Sequence, residues 1–140
     1  MTRYLLDSGI LSDLINRRHG IRERCQAEVV RGHKIGTCVP VLAEMAYGVE
    51  YGENRDRNMA SLLSVLPSIK LWPFERDAAF RYGSLAAELR RTGRPMQAID
   101  IMIAAVALTL GDCTVVSKDS DLSVVPGLVV ENWADEGDPA

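Results

Sequence analysis

RYLLDSGILSDL, residues 3–14, carries two periods and an acid in one short run. Arg3 to Leu6 reads as a short strand, and Asp7 stops it. From Ser8 the apolar residues recur at helical spacing, which predicts a helix to Arg18. The pattern of strand, then acid or turn, then helix recurs along the chain. Ile21 to Arg31 reads as a helix bracketed by Gly20 and Gly32, and Ile35 to Cys38 as a strand. Pro40 opens a helix to about Tyr51, since a first helical turn tolerates proline. Arg55 to Val65 is a helix ended before Pro67, and Ile69 to Trp72 is a strand closed by Pro73. Glu75 to Arg91 is a long helix that stops at Gly93-Arg94-Pro95. Gln97 to Leu110 is another, with Gly111 as its stop. Thr114 to Val116 and Leu128 to Val130 are the last strands. Such alternation predicts an α/β fold, a mostly parallel sheet with helices on both faces. Sites in such sheets form at the carboxyl ends of the strands.

The 140 residues fit one domain. With 47% hydrophobic and 25% charged residues the chain is an ordinary globular mixture. The longest apolar stretch, Ile101 to Leu110 with Thr109 inside it, is far short of the roughly 20 residues of a membrane span. No signal peptide is readable at the N-terminus. Cys25, Cys38 and Cys113 are scattered, so neither a disulfide framework nor a zinc site is suggested, and a cytoplasmic protein with reduced thiols is expected. The net charge is −3. Residues 131–140 carry four acids and no base; the remainder holds 16 basic against 15 acidic residues. This permits a basic rim around an acidic centre without making the chain a strong polyanion binder in bulk. Residues 134–140 read as an acidic, frayed tail beyond a domain of residues 1–133.

Four acids stand out. Asp7 and Asp119 each follow a strand, where the crevice rule puts ligands, although for either one alone a helix cap or turn is an equal reading. Glu44 lies in the helix after Cys38, off the stripe of Leu42, Met45, Ala46 and Val49 and beside Gly48, which leaves space next to the carboxylate. Asp100 sits in IDIMIAAVAL, residues 99–108, a helix apolar on nearly every side and so a buried one. A carboxylate there is costly unless it is paired or bound to a metal. Two carboxylates about 6 Å apart repel by roughly 3 kcal/mol at an effective dielectric near 20, so four in one cleft call for a cation. With no cluster of His or Cys at hand the donors are hard oxygens, which suit Mg²⁺ or Mn²⁺. Asp13 reads as a surface helix residue. Arg94, in the loop before the Asp100 helix, and Lys118 are candidates for holding a polyanion. Arg17-Arg18 and Arg90-Arg91 close two helices, where bases complement the dipole.

The pieces YLLDSGILSDL (4–14), VLAEMAYGV (41–49), IDIMIAAVAL (99–108) and VVSKDSDLSVVPGLVVENW (115–133) resemble, in order, those of PIN-domain ribonucleases of the VapC toxin type. The resemblance implies a three-layer α/β/α fold around about five strands. It implies metal-binding acids at Asp7, Glu44, Asp100 and Asp119, supported by the hydroxyls of Ser8 and Ser117. It also implies Mg²⁺- or Mn²⁺-dependent endonucleolytic cutting of RNA, a homodimer and a small antitoxin covering the cleft. Gly9 departs from the pattern, where Asn is usual, and Asp121 lies close enough to share or replace Asp119. Two further readings stand beside this one. The fold could serve as a binding or scaffold module without catalysis. An aspartyl-phosphate phosphatase or receiver domain would need a second acid near Asp7, and the chain has Gly9 there.

Overall fold

The computed structural model describes residues 1–134. Five strands form one sheet, β1 (Arg3–Leu6), β2 (Lys34–Cys38), β3 (Lys70–Trp72), β4 (Cys113–Val116) and β5 (Val129–Glu131), in the order β3-β2-β1-β4-β5. Every pairing is parallel. Six helices flank it: α1 (Ser8–Ile15), α2 (Ile21–Val30), α3 (Val39–Tyr51), α4 (Arg55–Val65), α5 (Arg76–Arg91) and α6 (Ala98–Leu110). The chain builds outward from β1 to β3 on one side and then returns to lay β4 and β5 on the other. The strand order therefore reverses between β1 and β4, the place where open sheets bind ligands.

The central strands are hydrophobic because both their faces are covered. Leu5, Leu6, Val115 and Val116 are fully buried, and the core extends to Ile10 and Leu11 of α1 and to Ile103 and Val106 of α6. Gly36 in β2 is required by a close approach: a Cβ there would stand 2.7 Å from the Lys70 carbonyl oxygen and 2.8 Å from the Trp72 ring. Trp133 closes the far end of the core, its ring 4.9 Å from that of Tyr4. Ala134, the first residue of the expected tail, is buried; residues 135–140 lie outside the described residues.

Two local readings shift. Helix α1 ends at Ile15 rather than Arg18, because Arg17 takes a left-handed conformation, φ 56°, that no helix can propagate. In α3 the fully buried side chain is Val41, while Leu42, Met45, Ala46 and Val49 are half-buried. No helix among the described residues is long and apolar enough to cross a membrane.

Candidate active site

The register Leu6 to Val116 places the ends of β1 and β4 side by side. Asp7 follows β1, and its backbone N–H donates to the Val116 carbonyl at 3.1 Å. Its carboxylate caps α1, with Oδ1 accepting from the Ile10 N–H at 2.9 Å. The loop after β4 begins with Ser117, which is buried. The Ser117 hydroxyl accepts from the Asp119 N–H at 2.9 Å, and Asp119 Oδ1 in turn accepts from the Asp121 N–H at 2.9 Å. These two bonds fix the turn that presents Asp119. Asp100 lies in the first turn of α6, where the aligned peptide dipoles favour an anion. Glu44 projects from α3 on an exposed face, shared with Ala43 and Tyr47, and Glu44 Oε1 accepts a hydrogen bond from the Ser8 hydroxyl.

The structure thus brings the four acids of the sequence reading into one electrostatic neighbourhood. Burial raises the pKa of Asp100 above its ordinary value, and the charges of Asp119, Asp7, Glu44 and Asp121 raise it further, in that order. Burial also raises that of Asp7, and Asp119 adds to the rise. The hydroxyl of Ser117, the Ile10 N–H and the Lys118 ammonium oppose it. Asp119 acts on both Asp7 and Asp100, and Asp121 is the last of the charges acting on Asp100. None of the five carboxylates forms an ion pair with a side chain among the described residues. Nor, among those residues, are three of them drawn into a ready-made ligand set. The Ile10 amide holds the Asp7 carboxylate to the start of α1, and the Ser8 hydroxyl ties the Glu44 carboxylate of α3 to α1.

Asp13 is not a surface residue. It is 2% exposed, and Lys118 Nζ reaches its Oδ2 at 2.9 Å, a close pair poorly aligned for a hydrogen bond. The Lys118 stem takes that path across Gly9: a Cβ at Gly9 would lie 3.6 Å from Lys118 Cε and 3.7 Å from Asp7 Oδ1. The space where the sequence pattern leads one to expect Asn is thus crossed by a lysine. Lys118, a candidate for gripping a polyanion, is committed to Asp13. The pairing had a partial signal in the sequence, since Asp13 stands three residues after Ile10 and one before Leu14, both buried. Arg94 keeps its candidacy. It lines a cleft of about 390 Å³ together with Gln97, Asp100, Asp119 and Asp121.

Cysteine chemistry is disfavoured, because burial pushes the thiols of Cys25, Cys38 and Cys113 up to about 12, 11 and 12.

Residues 4–128 match the PIN domain family. The tRNA(fMet)-specific endonuclease VapC of Shigella flexneri is 30% identical over 135 residues, covering 96% of this chain and 100% of the relative. Ribonuclease VapC2 of Rickettsia felis is 27% identical over 130 residues, covering 93% of this chain and 97% of the relative. The fold superposes with a TM-score of 0.86 and 26% identity on a chain of the crystal structure of VapBC2 from Rickettsia felis bound to a promoter DNA fragment, covering 94% of this chain and 99% of that one. The chain belongs to the PIN domain family and is related to the VapC toxins of VapBC toxin–antitoxin systems.

Proposed function

We propose that this protein is a metal-dependent endoribonuclease, the toxin of a toxin–antitoxin pair, with a nuclease domain that runs from residue 1 through the buried Ala134. The observation that carries this reading is a cluster of carboxylates that form no ion pair among the described residues, at the reversal point of a parallel sheet. The donors are all hard oxygens and their charges crowd one another, so the set fits Mg²⁺ or Mn²⁺. Asp7, Glu44 and Asp100 would hold the ion, with Asp119 binding it directly or through water. When bound, such an ion supplies Lewis-acid polarisation of the scissile phosphate and a water of lowered pKa.

The chain's own residues do the rest. Ser8 orients the Glu44 carboxylate and Ser117 orients the Asp119 turn. A carboxylate of the cluster not engaged by the ion would orient the attacking water. Arg94 stands beside Asp100 to grip a phosphate of the substrate. As in the toxin–antitoxin complex of the Rickettsia relative, we expect an antitoxin partner, here covering the cleft of a homodimer, in the cytoplasm.

The test is cleavage of RNA by the purified protein, with tRNA(fMet), named for the Shigella relative, as the first substrate. Cutting is expected with Mg²⁺ or Mn²⁺, is lost in chelator and is lost in Asp7→Asn. Metal-independent cutting, or a fully active Asp7→Asn, would overturn the reading, and no cutting of any RNA would favour the scaffold alternative.

A further inference from the structure

A second cleft opens at Glu44. It has a volume of about 430 Å³ and lies among α1, α3 and α4, lined by Ser12, Asn16, Arg18, Glu44, Arg57 and Asn58, among others. Glu44 is its sole acidic residue among the described residues. Arg18 and Arg57 are exposed and form no ion pair among the described residues, whereas the nearby Arg55 is held on Glu50 at 2.6 Å. The two asparagines add acceptors. The Asn16 amide nitrogen donates to the Ser12 carbonyl at 3.0 Å, and that of Asn58 donates to the Glu53 carbonyl at 3.2 Å. Each side chain therefore spends its donor on a backbone carbonyl and keeps its carbonyl oxygen for another group. Next to Glu44 the wall is low, since nothing stands within 4 Å of a Cβ built on Gly48.

We propose that this cleft is a subsite for single-stranded RNA, binding the nucleotides on one flank of the scissile bond. The proposal rests on the nuclease reading given above. Two guanidiniums that form no ion pair among the described residues match phosphates in charge and geometry. The asparagine carbonyls accept from a 2′-hydroxyl or from the amino and imino groups of an unpaired base. Glu44 belongs to this cleft, while Asp100 and Asp119 belong to the cleft of Arg94 and Gln97. The acid cluster is the junction of the two, so a strand laid across it has one flank in each.

The experiment uses an oligoribonucleotide that the full chain cuts at a mapped position, trimmed by a few nucleotides from either end in turn. For the wild type, trimming the flank held by Arg18 and Arg57 should lower kcat/KM by roughly tenfold or more per lost phosphate contact. In Arg18→Ala/Arg57→Ala the untrimmed substrate should be cut no better than the trimmed one. The plot of log kcat/KM against log salt should also become shallower by about 1.4, the contribution of two phosphate contacts on a single strand. Gly48→Phe, which places a ring in the open space, should abolish the same preference. Arg94→Ala should instead blunt the penalty for trimming the opposite flank, and Arg81→Ala, on exposed α5 surface, neither. The proposal is overturned if Arg18→Ala/Arg57→Ala and Gly48→Phe keep the full trimming penalty. It is overturned equally if they lose only inhibition by a co-expressed protein partner, for then the cleft takes a polypeptide. If the wild type cuts no RNA with either metal, the nuclease reading has failed first and the subsite falls with it.

Discussion

Asp13 and Glu28 are the two most buried acids among the described residues, and neither belongs to the candidate site; Asp7 and Asp100 are half-buried, and both do. The difference lies in what each carboxylate was given to face. Asp13 meets Lys118 at 2.9 Å, and Glu28 meets Arg31 at 2.6 Å with Arg24 4.0 Å away. Asp100 faces other acids instead, and Asp7 feels Asp119 on one side and, without an ion pair, the charge of Lys118 on the other. A buried charge is tolerable when its counter-charge is built into the chain, and it then serves structure. On the function proposed above, acids gathered without an ion pair keep their repulsion in reserve for a cation from solution. Burial alone would have pointed to Asp13 and Glu28, the paired acids.

The hardest way to break the contrast is to remove one unpaired acid. Asp100→Asn keeps the size and deletes a ligand charge, and RNA cleavage should fall by at least a hundredfold, roughly what several kcal/mol of lost charge stabilisation costs. The fold should persist, because no side chain depends on Asp100 for its counter-charge. Wild-type cleavage rates in a folded Asp100→Asn protein would show that the unpaired acids are not the reacting centre.

Breaking a paired acid should do the reverse. Lys118→Met strands the Asp13 carboxylate in the core. Because the lysine side chain is 43% exposed and water can partly replace it, the loss should be about 2 kcal/mol, short of the full penalty for a buried pair. In a domain of this size that lowers the melting temperature by about 6 °C. Adding Asp13→Leu should return much of the loss, since an apolar pair can replace a buried ionic one. A melting temperature unmoved by Lys118→Met would mean that the pair carries no structural weight.

The sequence disclosed the acids better than it disclosed their partners. Asp7 and Asp119 could be placed because each follows a strand, and Asp100 because an acid in IDIMIAAVAL has nowhere apolar to hide. Strand order was not written locally. Lys118 reaches Asp13 only because β4 lies beside β1, and Ser8 meets Glu44 only because α1 packs near α3. Periodicity describes one element at a time, so side-chain partners many residues apart stay hidden from it. For that reason Asp13 read as surface, Lys118 as a ligand for polyanions, and the cleft of Arg18 and Arg57 had no signal beyond two basic residues at the ends of helices.

Two smaller effects sharpen the contrast further. Ser8→Ala removes the hydroxyl that orients Glu44, and supporting groups of this kind are worth about 10-fold or more in metal affinity. Mn²⁺ titration should show that loss with the melting temperature of the metal-free protein little changed; an unaltered affinity would leave Ser8 without a role. The last effect is in pH. The pKa of Asp100 in the folded protein lies above its ordinary 3.8, so its protonated form favours the fold. That contribution is fully present below about pH 3.8 and is lost as pH rises through the raised value, leaving a repelling charge at neutral pH. Without metal, Asp100→Asn should therefore melt slightly above the wild type at pH 7, and the gap should close on acidification toward pH 4. A gap of the opposite sign at pH 7 would mean that Asp100 finds a stabilising counter-charge in the fold.

The most direct test of the central claim is the melting temperature of the wild type, Asp100→Asn and Lys118→Met across a Mn²⁺ titration. A ligand that binds only the folded state raises stability with its concentration beyond the dissociation constant. The wild type should gain steadily at millimolar Mn²⁺. Lys118→Met should start lower and gain nearly as much, since its lost partner is a structural acid. Asp100→Asn should start at or above the wild type and gain little. A wild type that gains nothing, or an Asp100→Asn variant that gains as much as the wild type, would contradict the assignment of the unpaired acids to a metal.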